Sequence, residues 1–553
     1  MTAAPGTRPG QHENRHENRH ENRQEDQREN PETRRAAPRP LGLLTASCLV
    51  AALLALPLAF LLIEASGAGL SQVASLIFRP LTWSLLWNTV RLTAVVTVAC
   101  AVVGTAAAWC VERTDLPGRR AWAVLVVVPL AIPDFVVSFG WHSLWTWAHG
   151  FRGAVIVMTL AVYPLVYLPV AASLRMADPG QEEVARSLGA GRARTFARIT
   201  LGQARGAILG GCLLVALVLL AEYGAFEILG YQTFTTEIFT EFSSYSFAAS
   251  CALSLVLVLL SLVVLAGEGL VNRGHGHLAR TGPLTPRVSP PLRLGWLRWP
   301  VLALFAALAL LALGVPVGAA LYWIADGLPP ALSGGSNVSL LNAAGHTALY
   351  GGSAAAAATV LAFPVALLAI RHRGHLRHLL ERSTYLVLGL PGVVVAFALS
   401  YFTEKYLAGF GYGTALLLIA CYAIMFFPLA LVGVKASLAR APVSLDEVGR
   451  SLGQSRLAVL CRVTLRLAGP GLAAAFCLVF LSAVTELTAT LLLIPTGTQT
   501  LATQFWAYES NLSYSQAAPF ALVMIVVAAV PSYVLGRFFQ RPGQRKRMRA
   551  CGK

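Results

Sequence analysis

Glu183-Val184-Ala185-Arg186-Ser187-Leu188-Gly189 returns 264 residues later as Glu447-Val448-Gly449-Arg450-Ser451-Leu452-Gly453, a step of about half the 553-residue chain. The same step carries Pro164 onto Pro428, Leu174 onto Leu438 and Glu222 onto Glu486. Upstream, Thr89 and Pro133 reappear as Thr347 and Pro391, 258 residues on, so the halves differ by a short length change between these points. The chain therefore reads as two copies of one unit, arranged in the same direction.

Composition places both copies in a bilayer. Hydrophobic residues make up 56% and charged residues 12%, with a mean hydropathy of +0.63, far from the balance of a water-soluble domain. A spanning helix needs roughly 20 mostly apolar residues. Such runs lie near 41–64, 84–111, 121–145, 153–175, 207–228 and 247–267, and again near 299–325, 343–370, 383–402, 412–437, 471–493 and 517–536. The expectation is an all-α membrane protein of about twelve spans in two parallel six-helix repeats. The length of the runs excludes a strand barrel.

Lys and Arg set the orientation, because cationic loops stay on the cytoplasmic side. With the N-terminus inside, the inner loops hold Arg113, Arg119, Arg120, the cluster from Arg186 to Arg205, Arg273, Arg280, Arg287 and the group from Arg371 to Arg382. The outer loops hold little beyond Arg79, Arg152 and Lys405. Both repeated Glu-to-Gly segments and both ends of the chain then lie in the cytoplasm. The formal charge of +17 reads as topology and attraction to anionic lipid headgroups, not as a nucleic-acid surface.

Residues 1–40 are of another kind. His12-Glu13-Asn14-Arg15 repeats as His16-Glu17-Asn18-Arg19 and His20-Glu21-Asn22-Arg23 without an apolar position, which predicts a disordered, solvated cytoplasmic tail and not a metal site. The first half is expected over 41–270, a Pro-rich cytoplasmic linker over 271–298, the second half over 299–540 and a basic cytoplasmic tail over 541–553. The nine Cys are scattered without zinc or redox spacing. No phosphate-binding Gly-x4-Gly-Lys-Ser/Thr loop, catalytic triad or HExxH pattern occurs. The chain is not expected to be an enzyme or to carry a cofactor, so nucleotide energy would have to enter through a partner subunit.

The repeated segment is where coupling to such a partner is expected. Glu182, Glu183, Val184, Ala185 and Leu188 form a short helix with an apolar edge, which Gly189 can stop in a left-handed turn. Phe196, Ile199 and Leu201 among Arg194, Arg198 and Arg205 predict a second amphipathic helix, so that the loop is a helix–turn–helix under the membrane. An ordinary basic interfacial helix would not repeat its Glu and Gly positions in the other half.

On these residues the chain resembles the inner-membrane permeases of ABC importers, whose cytoplasmic signature reads E-A-A, three residues, G, nine residues, I-x-L-P. Glu183, Ala185, Gly189, Ile199 and Leu201 match in the first copy, with Gly202 at the usual Pro. In the second, Glu447, Gly453, Val463 and Leu465 match, with Gly449 for an Ala and Arg466 for the Pro. The resemblance spans about residues 80–540 and implies the type I ABC importer permease fold in a bacterial inner membrane. It also implies an extracytoplasmic solute-binding protein and two copies of a cytoplasmic ABC ATPase, each receiving one signature helix. Glu183 and Glu447 would help hold the docked helix, with Gly189 and Gly453 setting its turn.

The fused layout and Leu229-Gly230-Tyr231-Gln232-Thr233-Phe234-Thr235-Thr236-Glu237-Ile238-Phe239, with its counterpart Thr500-Leu501-Ala502-Thr503-Gln504-Phe505-Trp506, look like the ferric-iron permease subfamily. Fused permeases for thiamine and aminoethylphosphonate share the layout. A secondary transporter of the major facilitator type also has two six-span repeats, and Asp115-Leu116-Pro117-Gly118-Arg119-Arg120 partly matches a loop of that family. Such a transporter has no use for the repeated loop between spans four and five.

Ionisable residues inside spans cost about 2.5–3.5 kcal/mol each at the bilayer centre and tend to face a pathway. Glu222 and Glu486 are a repeat-related pair, while Asp134 has Gly392 as its counterpart. Two readings stand for the pair: carboxylates lining the way of a hard cation that prefers oxygen ligands, or carboxylates bonded to a neighbouring helix. No metal site is assigned. His142, between Trp141 and Trp145, is expected to pack at the interface.

Overall fold

The computed structural model describes residues 41–68, 70–177, 179–272, 292–327, 336–371, 387, 389–407, 413–441 and 443–540. The tail over 1–40, most of the linker and the tail over 541–553 lie outside them. Among the described residues the structure is helical, with one isolated extended pairing between Thr114 and Leu292. That pairing clasps the end of the linker to the loop after Pro80–Arg113: the Leu294 N–H donates to Asp115 Oδ1 at 2.8 Å and the Asp115 N–H to the Leu292 carbonyl at 3.1 Å. The Asp of the facilitator-like loop is thus occupied with the linker backbone.

Nine described helices are long and apolar enough to cross a membrane, and two bent pairs raise the number to as many as eleven. Of the run expected at 383–402, residue 387 and residues from 389 onward are described, the latter including the start of the helix Gly392–Tyr406. The run expected as one span over 121–145 is broken, with Arg119–Ala131 and Asp134–His142 meeting at 91°. Proline is the cause. Pro133 has no N–H to continue the ladder and forces the residue before it out of the helical region, and Ile132 is extended at φ −94°, ψ 126°. Pro391 repeats the device at φ −59°, ψ 145°. Ala415–Met425 and Phe427–Leu438 likewise bend by 58° just before Pro428.

In each half the same three helices pack most closely: Pro80–Arg113, Pro164–Met176 and Leu201–Ala221 in the first, Ser336–Arg371, Phe427–Leu438 and Leu465–Val484 in the second. The leading span of each half packs on the last span of its own half, Leu41–Ala68 on Phe247–Asn272 and Val315–Asp326 on Tyr514–Gln540, and also reaches across to the other half. Leu41–Ala68 lies on Ser336–Arg371 and Gly392–Tyr406, and Val315–Asp326 lies on Asp134–His142. At the second crossing the backbones almost touch: a Cβ on Gly140 would come within 2.6 Å of Pro316 Cα, so only glycine fits there. Both cores are consequently mixed. Phe135, Phe139 and Phe226 pack with Phe305, Phe505 and Met524, and Leu54 and Leu61 pack with Ala354, Val394 and Phe397. The exposed large apolar side chains, Val98, Val102, Leu259, Leu304, Val360 and Val526 among them, belong on spans in contact with lipid tails.

Candidate functional site: two coupling loops and a pair of broken helices

The first repeated segment folds as the helix Pro179–Ser187 and the second as Val443–Ser451. Gly189 and Gly453 lie at φ +84° and +81°, the left-handed turn their sequence position predicts. Around each, the Ala190 and Gln454 N–H groups donate back to the Ala185 and Gly449 carbonyls, and the Gly189 and Gly453 N–H groups to those of Arg186 and Arg450, all at 3.0–3.1 Å. This is the double bond pattern that closes a helix on a C-terminal glycine.

Beyond the turn, the separate amphipathic helix expected under the membrane does not form. Arg192–Thr195 runs through a π-turn at Phe196–Thr200 into the span Leu201–Ala221, and Arg456–Val459 runs through Leu460–Thr464 into Leu465–Val484. The reason is visible at the last signature position: Gly202 and Arg466 keep the backbone N–H that a proline would remove, so the helix continues. Ile199, Leu201, Val463 and Leu465 are half-buried at this junction, as is Ala185 on the short helix.

Glu183 and Glu447 are exposed, together with Val184, Leu188, Val448 and Leu452, of which Leu188 is 82% and Leu452 76% accessible. Each short helix therefore presents a carboxylate beside an apolar edge on its free side. The acids that hold it from within are the preceding residues, which the sequence reading passed over. Glu182 pairs with Arg113 at 3.4 Å and accepts a hydrogen bond from Thr200 at 2.9 Å. Asp446 pairs with Arg371 and accepts one from Thr464 at 3.0 Å. The signal was present, since Arg113 and Arg371 are 258 apart and the other two pairs 264 apart, the same steps as the repeat.

At the far end of these spans, Glu222 and Glu486 stop the helix. The runs expected to continue over 207–228 and 471–493 end at Ala221 and Val484 and restart at Gly224 and Thr488. Each carboxylate caps the restart: Glu222 Oε1 accepts the Ala225 N–H at 2.8 Å and Glu486 Oε1 the Ala489 N–H at 3.1 Å. An acceptor at that position satisfies one of the donors a helix start leaves open. The backbone carbonyls of the same residues are taken by Thr235 at 2.5 Å and Thr490 at 2.7 Å.

The surroundings differ between the halves. The helix Asp134–His142 packs on the restart Gly224–Ile228, where a Cβ on Gly224 would lie 3.1 Å from Phe135 Cβ, so the fold brings the Asp134 end of that helix beside the Glu222 break although Asp134 has no acidic counterpart. In the second half the equivalent Gly392 lies against the carboxylate, with a Cβ there 3.5 Å from Glu486 Oε1. Among the described residues no group of three or more His, Cys, Asp or Glu could hold a metal ion. His142 lies beside His149, with Nδ1 3.4 Å from the Ala148 carbonyl.

Two short helices of this kind on a duplicated membrane bundle match a known pattern. Residues 101–274 and 358–547 both match the family described as binding-protein-dependent transport system inner membrane component. The chain belongs to this family. As a binding-protein-dependent ABC permease it is a multi-pass inner-membrane protein that works with a solute-binding protein and an ATPase. It is 35% identical over 488 residues to the Fe(3+)-transport system permease protein FbpB 2 of Haemophilus influenzae, covering 88% of this chain and 96% of that one. The ferric transport system permease protein FbpB of Actinobacillus pleuropneumoniae is 23% identical over 500 residues, covering 82% and 71%. A single half is matched by the sulfate transport system permease protein CysW of Synechocystis, 31% identical over 198 residues, 32% of this chain and 71% of that protein.

Proposed function

We propose that this permease passes ferric iron across the inner membrane, receiving it at the outer mouth from a solute-binding protein and driven by two copies of a cytoplasmic ABC ATPase. The observation that carries the substrate is the 35% identity to an Fe(3+)-transport permease along nearly the whole length of both chains. Membrane-depth acids support it against the sulfate relatives: Glu222, Asp134 and Glu486 would present like charge to an oxyanion but favourable charge and oxygen donors to Fe³⁺. The exposed sides of Pro179–Ser187 and Val443–Ser451 would dock in the two ATPase copies, with Glu183 and Glu447 at the polar edge and Leu188 and Leu452 at the apolar one. Gly189 and Gly453 would hold the turn, while Ala185, Ile199, Leu201, Val463 and Leu465 would seat the docked segment on the spans.

The distribution of Lys and Arg supports a cytoplasmic position for both ends of the chain, with the halves over 41–270 and 299–540 on either side of the linker 271–298 and tails over 1–40 and 541–553. ATP hydrolysis is assigned to the partner because the chain has no phosphate-binding loop. Uptake of radiolabelled ferric iron by cells with and without the gene, with sulfate, thiamine and aminoethylphosphonate alongside, tests the substrate. Loss of iron uptake alone is expected; unchanged iron with loss of another solute would remove the iron assignment.

A further inference from the structure

The cytoplasmic end of the second span meets the coupling helix through the same three side-chain types in both halves. Arg371, the last residue of Ser336–Arg371, pairs with Asp446. Thr464, the last residue of the π-turn Leu460–Thr464, donates to Asp446 at 3.0 Å and accepts from Arg371 at 3.4 Å. Arg113, the last residue of Pro80–Arg113, pairs with Glu182 at 3.4 Å, and Thr200, the last residue of the π-turn Phe196–Thr200, donates to Glu182 at 2.9 Å. Three elements converge at each point: the second span, the coupling helix and the start of the fifth span.

Exposed ion pairs hold little, because water competes for both partners. These are of another sort. Arg113 and Asp446 are each 8% accessible, and Thr200 and Thr464 are buried, so the charges are partly withdrawn from water and a hydroxyl fixes their direction. The π-turn is rare, tends to mark functional positions and occurs at the same place in both halves. The free side of each coupling helix carries Leu188 or Leu452 in the open, and the acid faces the other way, into the membrane domain.

We propose that Arg113–Glu182–Thr200 and Arg371–Asp446–Thr464 are positioning joints that convert movement of a docked coupling helix into movement of two spans at once. The inference rests on the docking of the coupling helices given above. Its mechanical content lies in what the fifth span connects. The joint is at one end of Leu201–Ala221, a helix of 21 residues and so about 30 Å long, and the Glu222 break is at the other. The helix Leu465–Val484 joins the Arg371 joint to the Glu486 break in the same way. A rigid helix held at its cytoplasmic end by a directed bond to the coupling helix carries a tilt to the carboxylate at its outer end, whereas a helix tied only by the chain would let the coupling helix swivel.

The test uses the full complex of permease, ATPase and binding protein in lipid vesicles, with ferric iron as the transported ion. Arg371→Ala, Asp446→Asn and Thr464→Val, with Arg113→Ala in the other half, should leave the ATPase bound and basal ATP hydrolysis intact. Stimulation of hydrolysis by the loaded binding protein and iron uptake should both fall by about ten- to hundredfold, the span of ordinary coupling between sites. The exchanged pair Arg371→Asp with Asp446→Arg should recover much of both. Unchanged stimulation and uptake in Arg371→Ala and Arg113→Ala overturns the proposal. Failure of the single variants and of the exchanged pair to accumulate overturns it as well, because the triads are then folding elements only. The docking reading has its own readout: an ATPase that stays bound to the chain carrying Leu188→Asp with Leu452→Asp would remove that reading and the joints with it.

Discussion

The two broken fifth spans share a backbone and differ in chemistry. Glu222 and Glu486 each stop a helix and cap the next with the same oxygen on the same third residue. Beside Glu486 a small cavity is lined by Thr347, Tyr350, Tyr422, Thr490 and Thr500 together with Ala483, Val484 and Ala502, and the Tyr422 and Thr490 hydroxyls share a hydrogen bond. At the positions that the repeat makes equivalent to Tyr350, Tyr422 and Thr490 the first half carries Leu92, Met158 and Phe226, all buried. The first half has a second acid, Asp134, and the second half has Gly392 in its place. Duplication has preserved what the backbone needs, an acceptor at a helix restart and a threonine hydroxyl on its carbonyl, and let other side chains around it diverge, with Asp134, Met158 and Phe226 in the first half where the second has Gly392, Tyr422 and Thr490.

The largest effect that can break this comparison is removal of both charges with both caps kept. Glu222→Gln with Glu486→Gln retains a carbonyl acceptor for Ala225 and Ala489, so the complex should assemble and purify normally while iron uptake falls by about tenfold or more, in line with acids that face a pathway. Loss of assembly would make both carboxylates purely structural. The two single variants sharpen the comparison, since unequal losses of uptake would show the halves doing unequal work.

A smaller effect is expected from exchanging the neighbours. Asp134→Gly gives the first half the local pattern of the second, and Gly392→Asp does the reverse at a point where a Cβ meets the flexible end of Met425 at 2.5 Å. Gly392→Asp should lower uptake several-fold by placing like charge beside Glu486, roughly 1 kcal/mol at the barrier, and Asp134→Gly should change it less. Initial rates at saturating binding protein measure both. Tyr422→Phe should cost about 1 kcal/mol of stability, the worth of one net hydrogen bond, whereas the equivalent Met158 has no hydroxyl to lose; thermal unfolding of the purified permease reads the difference.

The smallest expected difference is at the coupling turns, where the halves agree. Gly189→Ala and Gly453→Ala each put a side chain at φ above +80° and should each loosen the turn by about 1 kcal/mol. ATPase affinity should weaken equally in the two variants when measured by titration against the vesicle-embedded permease. An unequal result would mean that one coupling helix carries more of the docking.

Much of this was legible in the sequence. The short repeated helix, its glycine stop and the exposed apolar edge all follow from a window of seven residues, because helix periodicity and the left-handed preference of glycine act locally. The straight spans expected over 121–145, 207–228 and 471–493 were wrong at their breaks. Pro133 announced the first break in plain view, but a carboxylate that folds back to cap a restart looks, in a hydropathy window, like any buried acid. The joints were missed for a different reason. Arg113 and Arg371 read as topology signals in basic loops, and nothing local distinguishes a guanidinium that faces lipid headgroups from one that meets an acid many residues away.

By itself the amino-acid sequence determined that this chain is a duplicated helical membrane protein with the same short glycine-stopped helix in each half, since composition, apolar run length and a repeated motif need no knowledge of distant contacts. Only the tertiary structure decided that the leading spans bridge the halves, that the helix Asp134–His142 packs beside the Glu222 break, and that Glu182 and Asp446, rather than Glu183 and Glu447, face inward. Those outcomes depend on which surfaces bury one another. A charge inside a bilayer protein takes whichever partner the packing delivers, and packing joins residues that the sequence keeps far apart.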